Sequence, residues 1–222
     1  MGTLPEGQKI TICEGDLKDQ RPNVIVHPTN AYFQLDGELG VEIKRINGAA
    51  LQEEMERLRV EQKSIPALGA VVQSGLNIGT TQVIHVNVLD HLRKDKEKCL
   101  PTAIQNILEL AQRQKFESVV FPDMGCGKIP VQAAAEVVMT SLVTYFSNVG
   151  KESCVRDVLV VFPDLRDVNV YVACLQGMDN VETRIVEDND EDEASTHDDK
   201  ASTHDDEAST HEDEASFLDF LI

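Results

Sequence analysis

The sequence has no long apolar run. Its most apolar stretch, from Val158 to Pro163, is only strand-length, whereas a membrane-spanning helix needs ~18 such residues. The amino terminus, Met1-Gly2-Thr3-Leu4-Pro5-Glu6, carries neither a basic region nor an apolar segment, so it does not read as a secretory signal. Glu6 also stands where a myristoylation site wants serine or threonine. No CxxC pair occurs. The five cysteines (Cys13, Cys99, Cys126, Cys154 and Cys174) are odd in number and widely spaced, as expected of reduced thiols in a nuclear or cytoplasmic protein. His, Cys and Asp residues do not fall at metal-ligand spacing, and both GxxxxGK[ST] and GxGxxG are absent, so no metal or bound cofactor is expected.

Basic residues are scarce: 20 Lys and Arg stand against 39 Asp and Glu, a formal net charge of -19 over 222 residues. The imbalance is unevenly spread. Residues 182–222 hold 16 acids and two bases, Arg184 and Lys200, which leaves 23 acids and 18 bases, net -5, for residues 1–181. A body of that charge is ill suited to duplex binding, which sets Lys and Arg against phosphates, so no direct nucleic-acid contact is expected, and no membrane either. Within the acidic segment, Glu193 to Asp213 is a three-fold repeat of seven residues, EASTHDD, KASTHDD, EASTHED. Each unit offers only alanine as an apolar residue, so the period builds no coiled-coil seam. High charge and low hydrophobicity predict a disordered tail over 182–222, ending in the hydrophobic tag Phe217-Leu218-Asp219-Phe220-Leu221-Ile222. Ser195, Thr196, Ser202, Thr203, Ser209 and Thr210 precede acids by three residues, which suits acid-directed kinases. Such a tail fits basic protein partners, histones among them, or serves solubility.

From Gln8 to Met178 short β-branched runs alternate with helical periodicity. The spacing predicts strands over Lys9–Cys13, Val24–His27, Ala70–Gln73, Gln82–Val88, Ser118–Phe121 and Asp157–Phe162. It predicts helices over Gly37–Asn47, Ala49–Gln62, Pro101–Gln114, Val131–Phe146 and Leu165–Gln176. Strands alternating with helices imply an α/β fold, a three-layer α/β/α sandwich around a mixed, largely parallel sheet. Val158-Leu159-Val160-Val161-Phe162 is apolar at every position, as a strand covered on both faces should be. Ligands of such sheets bind beyond the carboxyl ends of the strands, which directs attention to three loops.

The first is Glu14-Gly15-Asp16-Leu17, where a carboxylate either caps a turn or accepts from an exocyclic purine amine. The second runs from His27-Pro28-Thr29-Asn30 into Asp36-Gly37-Glu38-Leu39-Gly40. Its glycines either permit the turn or let a ligand approach helix-terminal N–H groups. The third is Phe121-Pro122-Asp123-Met124-Gly125-Cys126-Gly127-Lys128-Ile129-Pro130. Here Gly125 and Gly127 can present backbone donors, Pro130 suits a first helical turn, and Lys128 can add a cation. No base is tied to Cys126 by sequence, so it reads as a small loop residue rather than a nucleophile. Together the loops suggest one ligand, with an acid for a purine at one end and two backbone cradles for phosphates.

The order and spacing of these segments resembles a macrodomain over Gln8 to Met178, with closest likeness to the macrodomains of macro histone variants through His27-Pro28-Thr29-Asn30, Gly37-Glu38-Leu39-Gly40 and Val83-Ile84-His85-Val86-Asn87. The resemblance implies binding of ADP-ribose, free or on a modified protein, and a non-enzymatic reader is the leading reading. It would place Asp16 on the adenine amino group with Leu17 beside it, and Asn30 near the distal ribose. Gly37, Glu38, Leu39 and Gly40 would form a first phosphate loop, with Ser74 and Gly75 near the ligand. Gly125, Cys126 and Gly127 would form a second phosphate loop, and Phe162 would stack on the adenine. Two alternatives accompany it: an ADP-ribosyl hydrolase using Asn30 with Asp36 or Glu38, and an interaction scaffold without ligand. Asp36-Gly37-Glu38 replaces the three glycines of hydrolytic macrodomains, which weighs against the hydrolase.

Overall fold

The computed structural model describes residues 1–20, 22–35, 37–78, 81–89, 96–179 and 181–184. In chain order the elements are β1 (Gly2–Thr3), β2 (Lys9–Glu14), β3 (Val24–Thr29), α1 (Gly37–Gln62), β4 (Ala70–Ile78), β5 (Thr81–Asn87) and α2 (Lys96–Gln114). There follow β6 (Ser118–Phe121), α3 (Val131–Val149), β7 (Asp157–Phe162), α4 (Leu165–Gln176) and β8 (Glu182–Thr183). Single 3₁₀ turns occupy Leu17–Asp19 and Gly150–Glu152.

The strands form one sheet in the order β4-β5-β3-β6-β7-β2-β1-β8. The five strands from β5 to β2 are parallel, and antiparallel pairs close both edges. The apolar run of β7 shows why the sheet is covered twice. Val158, Val160 and Phe162 enter a large core with α2, α3 and α4, while Leu159 and Val161 face a smaller one beneath α1. Alternation at period two therefore sends each strand's neighbours to opposite layers.

Three differences from the sequence expectation bear on the architecture. The two helices expected on either side of Asn47-Gly48 are one helix, α1, because Ile43, Leu51, Met55 and Leu58 continue a single buried stripe through the glycine. Helix α2 begins at Lys96, so Pro101 lies inside it instead of opening it, at the cost of one intrahelical bond. The sheet extends through Glu182–Thr183, which pair with β1, two residues beyond the expected start of the tail. The repeats and the hydrophobic tag lie outside the described residues. None of the described helices is long and apolar enough to cross a membrane.

Candidate functional site

Because β2, β3, β6 and β7 are parallel, their carboxyl ends open on one side of the sheet, and the loops leaving them converge there. They enclose a cleft of about 950 Å³. Its walls include Asp16 and Leu17 from the first loop, Gly37 and Leu39 from the second, and Cys126 and Gly127 from the third. The three loops singled out in the sequence thus meet at one place.

The first wall is fixed by the end of β2. The Gly15 N–H donates to the Phe162 carbonyl (2.9 Å), which ties this loop to β7 and carries Asp16, exposed, to the cleft rim. Phe162 lines the cleft, but its ring is 1% exposed and tilts against Tyr171 at 4.5 Å between centroids. Pro163 beside it is exposed and also lines the cleft, so it offers the accessible surface that a stacking Phe162 was expected to give.

The second wall separates its two glycines by task. Gly37 adopts a left-handed φ of 73°, with open space where a side chain would project. Gly40 is buried, and a Cβ there would lie 2.4 Å from the Leu35 carbonyl carbon. Gly40 therefore packs α1 against the preceding loop instead of facing the cleft. Asn30 is likewise committed to the loop. Its carbonyl accepts from the Tyr32 N–H (2.9 Å) and the Gln34 N–H (3.3 Å), and its amide nitrogen donates to the Gln34 side chain. It does not line the cleft. Asp36 and the side chain of Glu38 lie outside the described residues.

Ser74 and Gly75 are not brought to the cleft end. β4 runs through them to Ile78, antiparallel to β5, with Ala70 opposite Val86 and Gln73 opposite Val83. Each further residue of β4 thus moves away from the strand ends where the cleft opens.

The third wall is a tight backbone turn. Cys126 (φ 50°) and Gly127 (φ 63°) are both left-handed, and the Lys128 N–H closes the turn on the Gly125 carbonyl (2.8 Å). Asp123 reaches into this turn: Oδ1 accepts from the Gly125 N–H (2.8 Å) and Oδ2 from the Gly127 N–H (3.3 Å). Lys128 Nζ donates to the Leu89 carbonyl (2.6 Å), tying the turn to the chain beyond β5. The Cys126 thiol donates to the Asp123 carbonyl, and burial together with the Asp123 charge pushes its pKa up to about 12. It is a protonated, structural thiol at neutral pH.

Four carboxylates (Glu14, Asp16, Asp123 and Asp167) and one lysine, Lys128, line the cleft among the described residues. Among the described residues carboxylates outnumber cations there, so the groups these walls offer an anion are oriented backbone N–H groups and Lys128. Asp123, Leu89 and Asp167 were not among the expected site residues. An aspartate two residues before a glycine in a turn is a signal that could have flagged Asp123. The other two lie just past the carboxyl ends of β5 and β7, where no glycine marks the turn.

The model of the macro domain family matches residues 26–138. The chain belongs to the macrodomain family. This macrodomain is 28% identical over 174 residues to a histone macroH2A1.1 of Capsaspora owczarzaki, covering 77% of this chain but only 47% of that protein. It is 27% identical over 144 residues to an O-acetyl-ADP-ribose deacetylase of Escherichia fergusonii, covering 63% of this chain and 81% of the relative. A variant macrodomain from Oceanobacillus iheyensis, solved with ADPR, superposes with a TM-score of 0.70 at 22% identity, over 79% of this chain and 96% of that one. A Trypanosoma brucei macrodomain in complex with ADP-ribose gives 0.65 at 17% identity, over 75% of this chain and 68% of that one.

Proposed function

We propose that this cleft binds ADP-ribose, free or attached to a modified protein, and holds it without hydrolysis. The observation that carries the reading is the convergence of Asp16, the amino terminus of α1 at Gly37, and the left-handed turn at Cys126-Gly127 around one cleft. The Asp16 carboxylate suits the adenine amine, and the two backbone segments suit the diphosphate. The relatives that act on or are solved with ADP-ribose derivatives support the same ligand.

One feature favours a reader over a hydrolase: the Asn30 carboxamide is spent on Tyr32 and Gln34. Titration calorimetry with ADP-ribose gives saturable heat, and Asp16→Ala weakens binding at least about tenfold, the worth of one charge-assisted hydrogen bond. Absence of heat at millimolar ligand would overturn the reading. Incubation with mono-ADP-ribosylated protein releases no ADP-ribose, whereas turnover would make the chain a hydrolase.

A further inference from the structure

The N–H groups of Gly125 and Gly127 belong to the expected second phosphate loop, yet both already donate to an anion. That anion is the chain's own Asp123 carboxylate, one oxygen on each N–H. The turn through Cys126 and Gly127 brings the N–H groups of Gly125 and Gly127 to the two oxygens of this one carboxylate, the kind of turn concavity that holds anions. Asp123, Cys126 and Gly127 line a cleft with room for a nucleotide-sized ligand, while Gly125 is buried and does not line it, and the carboxylate occupies both N–H donors. Lys128, the one lysine lining the cleft among the described residues, donates its Nζ to the Leu89 carbonyl (2.6 Å). With burial as the larger cause, the Asp123 charge also raises the pKa of the Cys126 thiol and the fully buried Tyr171 hydroxyl, which shows that its field reaches both neighbours.

We infer that Asp123 is a resident anion of the second phosphate loop, a built-in competitor that a ligand phosphate must displace before these N–H groups can hold it. This rests on the ADP-ribose reading of the cleft and deepens it. A phosphate and a carboxylate cannot share two donors, and their charges repel across a low-dielectric cleft. Asp123 therefore sets affinity by ligand charge. It opposes groups bearing phosphate at this loop and leaves the uncharged nucleoside end, over at Asp16, unaffected. A residue that merely capped the turn would act in the opposite direction, because losing it would loosen the loop and weaken every phosphorylated ligand.

The test compares the full chain with Asp123→Asn and Asp123→Ala, titrated with ADP-ribose and with adenosine. Asparagine keeps one acceptor for the Gly125 N–H and removes the charge, so the loop stays capped even if alanine disturbs folding. The expected result is ADP-ribose binding at least about tenfold tighter in D123N, the loss of one opposing charge–phosphate contact, with adenosine binding unchanged. If ADP-ribose affinity in both variants is equal to or below that of the unsubstituted chain, the resident-anion inference falls and the cleft reading stands. If no variant and no native chain binds ADP-ribose, both fall. Binding by the variants alone would uphold Asp123 as the group that closes the site and overturn the ADP-ribose reading for the native chain.

Discussion

Two imidazoles meet at the cleft, which His27 lines, and the chemistry of His85 ties stability to pH. His27 and His85 face each other across the parallel β3–β5 pair, with their Nδ1 atoms 3.0 Å apart. His85 Nε2 contacts Gln73 Oε1 at 2.6 Å, and Phe33 packs edge-on against the His85 ring. His85 is completely buried. Burial first, and the neighbouring His27 second, hold its pKa well below the ordinary histidine value. The unfolded chain binds a proton at this residue near pH 6.5 and the folded chain does not. The contribution of neutral His85 is therefore complete above pH 6.5 and is lost progressively as the pH falls below it. Urea unfolding between pH 7.5 and 5.5 should show stability dropping by up to about 1.4 kcal/mol per pH unit for this one proton. A flat profile across that range would contradict a neutral His85. Neither histidine announces this in the sequence, where each is the single histidine of its own strand. Only the parallel register brings them together.

At the scale of elements, α1 links the small core to the cleft. Its buried stripe anchors the helix, and its first turn delivers Gly37 and Leu39 to the ligand side. Gly40 holds that turn against Leu35, with no space for a Cβ next to rigid backbone. Gly40→Ala should therefore destabilise the domain by about 1–3 kcal/mol, as overpacking does, and weaken ADP-ribose binding with it. Gly37→Ala meets no neighbour and carries only the strain of its left-handed φ, about 1 kcal/mol. Urea midpoints of the two variants check the order, and equal losses would show that Gly40 is not the packing contact. Elements with a clean period and firm punctuation, such as β6, β7 and α4, were legible to the residue. β1 and β8 were not, because two residues show no period. β4 was expected to stop at Gln73, since Ser74-Gly75 are poor strand formers, and its pairing with β5 carries it on to Ile78.

The molecule as a whole places an anion site in a body short of positive charge. Residues 1–181 carry net -5, and the cleft itself is lined by more carboxylates than cations among the described residues. The sheet resolves this by direction: parallel strands point their carboxyl ends, and the N–H-rich turns that follow, toward one cleft. That much was legible, because strand–glycine–helix transitions mark such turns in one dimension. The occupancy of the third turn by Asp123 and the tie from Lys128 to Leu89 were not, since both depend on how loops from different strands approach in space. The most direct test of the account is an NMR titration of the ¹⁵N-labelled chain with ADP-ribose. Amide shifts should concentrate at Gly15 to Leu17, Gly37 to Gly40 and Gly125 to Lys128, and spare Val24, Ser118 and Asp157 at the opposite strand ends. Unmoved spectra at millimolar ADP-ribose, or shifts centred on those opposite ends, would contradict it.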